Sequence, residues 1–212
     1  LGANVVSYDR YSESREELGQ KIQAETGAIL IPPYDYLPTM IGQGTTAIEV
    51  TNQLRAKGLS LDTAIICCGG GGLAGGSALV YNTTFPDAQV WAAEPETHDD
   101  TARSLRAGKR LSNDPEARSI CDAIVTPTTG EVTFPVLQAC GVEGRSASDE
   151  DVLDAVGFAA KRMKLLVEPG GAIALAVGRT HVAQLQGQTV VAYLSGGNID
   201  PEMLARAITR AS

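Results

Sequence analysis

Cys68-Gly69-Gly70-Gly71-Gly72-Leu73-Ala74-Gly75-Gly76 joins an apolar, β-branched run to a helical pattern, and this stretch is built to approach a ligand closely. Four consecutive glycines let the chain turn tightly and aim several N–H groups at one anion, and the helix that follows adds the positive end of its dipole. The matching chemistry is phosphate binding. The plainer alternative is a tight turn with no ligand, against which stands the chain entropy that four glycines lose on folding. A second cluster, Ser195-Gly196-Gly197-Asn198, closes another apolar run over 189–194. A hydroxyl there can donate to or accept from a ring nitrogen, and the glycines let a flat ring approach. Ser195 as a cap for the helix beginning near Pro201 is the alternative, at an awkward distance for a cap. Both clusters follow strands, at the carboxyl ends where open α/β sheets bind ligands.

The elements that must position them alternate short strands with helices, which indicates an α/β fold with an open, mostly parallel sheet and helices on both faces. Strands are expected over 5–8, 28–31, 63–68, 89–93, near 123–125 and over 189–194. Helices are expected from Ser12 to 25, over 45–57, 73–81, 100–107, 149–165 and 172–177, and from Pro201 onward, with Ser148 and Asp151 as a capping box. Three prolines in 32–38 mark a crossing between two substructures. The clearest unit is βαβ, around the four glycines.

A dinucleotide reading competes on these residues. Gly70, Gly72 and Gly75 satisfy G-x-G-x-x-G, and Glu94 ends the next strand where a ribose-binding acid would sit, as in an NAD-dependent oxidoreductase. Against it, the loop follows earlier α/β units rather than opening them, and Glu94 runs into Pro95 and further acids. The Ser195 cluster tips the balance away from it.

Composition narrows the classes further. The 212 residues carry a net charge of −8, which disfavours nucleic-acid binding. An apolar share of 43% with 20% charged residues is globular rather than disordered. No run approaches the ~20 apolar residues of a membrane helix, no leader pattern opens the chain, and the expectation is a soluble, cytoplasmic protein without a membrane partner. Cys67, Cys68, Cys121 and Cys140 lack metal spacing and read as reduced thiols, Cys67 and Cys68 facing opposite sides of one strand.

Taken together, five segments in order resemble the pyridoxal-phosphate enzymes of the tryptophan-synthase-like fold (fold type II), most closely serine/threonine dehydratases and serine racemase. They are Pro33-Tyr34-Asp35 with Gly42-Gln43-Gly44-Thr45; Gly69 to Leu73; Ala93-Glu94-Pro95 with Asp99-Asp100; Arg162-Met163-Lys164-Leu165-Leu166 with Glu168-Pro169; and Ser195-Gly196-Gly197-Asn198. The resemblance implies that the backbone of Gly69, Gly70, Gly71, Gly72 and Leu73 holds the phosphate of pyridoxal 5'-phosphate and that Ser195 meets its pyridine nitrogen. A neutral hydroxyl leaves that nitrogen largely unprotonated, which suits β-elimination or Cα proton exchange over transamination. It also implies a divalent-cation site (Mg, Ca or Mn) from the carboxylates of Glu94 and Asp100 and the carbonyl of His98. The alternative there is a helix cap by Asp99 or Asp100 and a solvated Glu94. Lys164 matches a nucleotide-effector contact of serine racemase, although an ordinary surface lysine is the simpler assignment. Glu168 is expected near the cofactor, and Tyr34 is either a wall of the substrate pocket or a core or interface tyrosine.

The family's Schiff-base lysine belongs to a Ser-x-Lys-x-Arg-Gly pattern, and none of Lys21, Lys57, Lys109, Lys161 and Lys164 lies in such a context. In family terms 1–38 would end the small domain and 39–212 would form most of the large cofactor-binding domain, so the fold is expected to be incomplete. The expected activity of the intact protein is that of a homodimeric ammonia-lyase of L-serine, L-threonine or a related 3-hydroxy amino acid. A serine racemase-type activity, or an inactive fragment of such an enzyme, is the alternative.

Overall fold

In the computed structural model, which describes residues 2–9 and 12–210, the run TAIIC forms strand β1 (Thr63–Cys67), buried at every position. Burial on both faces is what a central parallel strand requires. β1 pairs in parallel with β2 (Gln89–Pro95) on one side and with β4 (Val190–Ala192) on the other, while β3 (Glu143–Ala147) extends the sheet beyond β2. The order β3-β2-β1-β4 puts the carboxyl ends of all four strands along one edge.

Side chains alternate across this sheet. Ile65, Cys67, Trp91 and Ala93 face a core shared with helices α6 (Asp149–Phe158), α7 (Pro169–Thr180) and α9 (Pro201–Arg210). Ala64, Ile66, Cys68, Val90 and Ala92 face the opposite core, shared with α2 (Leu37–Ala56) and α3 (Gly72–Thr84). Cys67 and Cys68 therefore do point to opposite faces. Shorter helices α4 (Asp100–Ala107), α5 (Thr133–Ala139) and α8 (Val182–Leu185) complete this part. Among the described residues no helix is long and apolar enough to cross a membrane.

The chain divides into two compact units, Leu1–Pro32 and Pro33–Ser212. Residues 33–38 thus go with the sheet: the Asp35 carboxylate accepts from the backbone N–H groups of Glu131 and Val132, at 2.9 and 2.7 Å. In the first unit, α1 (Arg15–Thr26) is capped by Ser14, whose hydroxyl accepts from Glu17 N, and it stops at Gly27 in the left-handed region. Ser14 replaces the expected Ser12 because the cap must lie three residues before an amide it can reach. The segments 5–8 and 28–31 are not strands. Val5, Ile29 and Ile31 are exposed, and among the described residues no strand pairs with them.

Other departures have local causes. Helix α2 begins at Leu37, ahead of the expected 45, because Pro38 sits in its first turn, where the missing N–H costs nothing. The capping box of Ser148 and Asp151 opens α6 as expected, but the helix closes at 158 and passes into a π-helical turn, Ala159–Met163. Residues 123–125 form no strand. The third strand is instead the polar sequence EGRSA of β3, which apolar patterning overlooks. Gly144 lies in it because α4 packs directly on top: a β-carbon there would overlap Ala102.

Replacing Gly144 with Val should therefore lower unfolding stability by about 1–3 kcal/mol, read from the urea midpoint. Glu143→Ala, at an exposed position on the same strand, should move it by no more than about 0.5 kcal/mol.

Candidate functional site

β1 ends at Cys67, and the glycines begin two residues later, so the loop leaves the carboxyl edge of the sheet and enters α3 at Gly72. Gly71 has φ +92°, a conformation an L side chain rarely adopts. The carbonyl of Gly70 accepts from Gly130 N at 3.1 Å and from the Thr133 hydroxyl at 2.5 Å. A trans peptide points its N–H opposite to its C=O, so this double anchor aims the Gly71 amide away from Thr133. No side chain caps the amides at the start of α3, which leaves the positive helix end available to an anion.

Tyr34 lies against this loop. A β-carbon at Gly70 would overlap its ring, and one at Gly72 would come within 3.0 Å of its Cα. Glycine is thus demanded by the approach of Tyr34 as well as by any ligand, and the half-buried tyrosine is a wall beside the loop.

Ser195 comes to the same edge from the neighbouring strand. Tyr193 N donates to Ile65 O at 3.0 Å, continuing the β4 pairing along β1. Two residues on, the Ser195 hydroxyl accepts from the Cys67 thiol at 3.0 Å. Ser195 is exposed and Cys67 buried, and burial pushes the Cys67 thiol up while the bond to Ser195 partly offsets that rise. The loop of Ser195 is held by Glu168: Glu168 N donates to Gly196 O at 3.0 Å, and its carboxylate accepts from Asn198 N at 3.0 Å. Ser195 does not cap α9; it stands six places ahead of Pro201, at the sheet edge.

An uncapped helix start, a four-glycine loop and a neutral hydroxyl on the adjacent strand end fit a flat ring bearing a phosphate. The donors available there are backbone N–H groups, which suit a phosphate, and one hydroxyl, which suits a ring nitrogen. They do not fit a dinucleotide. Glu94 is fully buried, and its two carboxylate oxygens accept from the amides of Thr101 and Ala102, both at 2.9 Å. The acid that a ribose would need is spent on capping α4.

That same bonding revises the expectation of a solvated Glu94. Burial, and then the neighbouring Asp100, push the Glu94 carboxyl up to about 8. Asp100 is also buried and also raised, chiefly by burial; it accepts from Asn113 Nδ2 at 2.6 Å and the Thr129 hydroxyl at 2.9 Å. His98 is nearly buried, and its ring Nδ1 bonds the Thr97 hydroxyl at 3.0 Å. Among the described residues no three His, Cys, Asp or Glu side chains are grouped to hold a metal ion. Glu94 and Asp100 are neighbouring carboxylates, each already bonded within the protein.

The remaining candidates lie elsewhere. Lys164 is exposed, with φ +61°, and its Nζ donates to Lys161 O at 2.8 Å, closing the π turn. Lys21, Lys57, Lys109 and Lys161 are exposed too. Thr133, Gly130 and the Cys67 thiol escaped sequence reasoning. Thr133 meets Gly70 across 63 positions and Cys67 meets Ser195 across 128, so no local spacing reveals either pair.

Three comparisons with known proteins bear on this arrangement. Residues 1–196 match the family model described as pyridoxal-phosphate dependent enzyme. The chain is 34% identical to serine racemase of Schizosaccharomyces pombe over 209 residues, covering 99% of this chain and 63% of that protein. It is 35% identical to L-threo-3-hydroxyaspartate ammonia-lyase of Saccharomyces cerevisiae, covering 98% and 62%. Its fold superposes on the crystal structure of the T.th. threonine deaminase with a TM-score of 0.86 at 38% identity, covering 94% of this chain and 64% of that one. The chain therefore spans a little over three fifths of the length of these relatives.

Burial controls the cysteines. Cys67, Cys68 and Cys121 are buried and raised, Cys121 to about 12, whereas Cys140 is only half-buried. Iodoacetamide at about pH 8 is expected to label Cys140 first and the other three only on unfolding, as followed by peptide mass spectrometry.

Proposed function

The chain belongs to the pyridoxal-phosphate dependent enzyme family, and on that premise we propose that the intact protein is an ammonia-lyase of L-serine, L-threonine or a related 3-hydroxy amino acid, releasing a 2-oxo acid and ammonia. The observation that carries this reading is the neutral Ser195 hydroxyl at the strand end beside the glycine loop. Pyridoxal phosphate, when bound, supplies an electron sink for the pair left at a substrate's α-carbon. The amides of Gly69, Gly70, Gly71, Gly72 and Leu73, with the start of α3, would hold its phosphate. Ser195 would donate to its ring nitrogen without protonating it, and a weaker sink favours loss of a β-hydroxyl over transamination. Glu168 would keep Ser195 in place by fixing the Gly196 carbonyl and the Asn198 amide. Support comes also from relatives that are ammonia-lyases and a threonine deaminase.

A racemase is the second reading, favoured by the likeness to serine racemase, since the same hydroxyl suits return of the α-proton. The five lysines of this chain are exposed and lie outside the family's lysine motif, so activity is expected only when another segment supplies the Schiff-base lysine. A homodimer in the cytoplasm is the expected setting.

Full-length protein mixed with pyridoxal phosphate should gain visible absorbance and release 2-oxo acid from L-serine, L-threonine or L-threo-3-hydroxyaspartate. Ser195→Ala removes one hydrogen bond of about 1.4 kcal/mol, so kcat should fall about tenfold. D-serine without 2-oxo acid would favour the racemase, and no absorbance would sink both.

The divalent cation belongs to the same proposal. Two buried carboxylates side by side gain from a hard cation held by Glu94, Asp100 and the His98 carbonyl. After chelation, Mg²⁺ or Ca²⁺ at about a hundred times its Kd should stabilise the protein by about 2.7 kcal/mol. Asp100→Asn should abolish that gain in Tm.

A further inference from the structure

We propose that Cys67 is a positioning residue for Ser195: by donating its thiol hydrogen to Ser195 Oγ, it leaves the single hydroxyl hydrogen of Ser195 free to point outward from the sheet edge. The inference rests on the reading that Ser195 faces the ring nitrogen of pyridoxal phosphate, and it assigns what sets that hydroxyl's direction.

The geometry is specific. Cys67 is the last residue of β1, it is 5% exposed, and its side chain lies in the core against α6 and α7. Its Sγ sits 3.0 Å from Ser195 Oγ with the thiol as donor. A hydroxyl has one hydrogen and two lone pairs, and a thioether or thiol sulfur is a poor acceptor. An oxygen that accepts from sulfur keeps its own hydrogen for another partner. Burial, with Glu168 nearby, holds Cys67 in the thiol form, so the donor role persists at neutral pH.

The consequence reaches the ring nitrogen. An unprotonated pyridine nitrogen only accepts, and a protonated one only donates. With the thiol donating inward, Ser195 presents a hydrogen and selects the unprotonated nitrogen. Were the bond reversed, Ser195 would present a lone pair and suit the protonated one. Placement of the Ser195 backbone depends on Glu168 and on β4 pairing, not on the thiol. A Cys67 substitution therefore alters hydrogen direction while the loop stays put.

Two measurements test this. The first needs no cofactor: the S–H stretch of Cys67, isolated by infrared difference between wild type and Cys67→Val, should move to higher wavenumber in Ser195→Ala. An unmoved band overturns the proposal. The second uses full-length protein loaded with pyridoxal phosphate carrying ¹⁵N in the ring. The nitrogen resonance should lie at the unprotonated position in wild type, move partway toward the protonated one in Cys67→Val, where the Ser195 hydroxyl is free to present either its hydrogen or a lone pair, and return in Cys67→Ser, whose hydroxyl can also donate. A resonance unchanged by Ser195→Ala sinks the placement of Ser195 itself. One that responds to Ser195→Ala but not to Cys67→Val sinks only the role of Cys67.

Discussion

Parallel pairing of β1 with β4 is the constraint on which the candidate site depends. Thr63, Ala64 and Ile65 lie against Val190, Val191 and Ala192, and just beyond the paired residues the Cys67 thiol reaches the Ser195 hydroxyl. A parallel pair cannot be joined by a hairpin, so the chain between them is free to run through β2, β3 and their helices. Because every strand points the same way, loops that leave strand ends collect on one edge. The glycine loop and Ser195 lie along the same edge for that reason, although more than a hundred residues separate them.

Holding that edge in shape falls to polar groups that a motif search treats as background. Thr133 and Gly130 fix the Gly70 carbonyl, Asp35 fixes the amides of Glu131 and Val132, and Glu168 fixes the Ser195 loop. Each satisfies a backbone group that would otherwise be left unpaired near the sheet edge. Glu94 shows how one residue type supports opposite readings. In sequence it is a ribose-binding acid or a cation ligand; in the fold its oxygens cap α4, and its burial beside Asp100 makes the ionised form costly. Fully buried and bonded through both oxygens, that carboxylate is closed to a ribose hydroxyl.

Legibility followed how local the signals were. Strand β1, the glycine loop, α4 and the Ser148–Asp151 capping box were readable because propensity, apolar run and cap lie within a few residues of one another. β3 was missed because Glu143, Gly144 and Arg145 are chosen by what packs on them, the α4 backbone over Gly144 and the Trp91 ring under the Arg145 guanidinium. The segments 5–8 and 28–31 erred the other way. β-branched residues favour a strand only when a neighbouring strand takes up their hydrogen bonds.

Residue type and short spacing were enough to indicate the α/β fold class and to single out the glycine loop at 69–73 and Ser195 as candidates for a ligand site. Long-range packing was needed to show that Glu94 is spent on α4, that Thr133 orients the Gly70 peptide, and that Cys67 donates to Ser195. The last two join residues far apart along the chain. Side-chain type states only what a group can donate or accept, and the partner it finds is set by which strands pair and which helix packs above them.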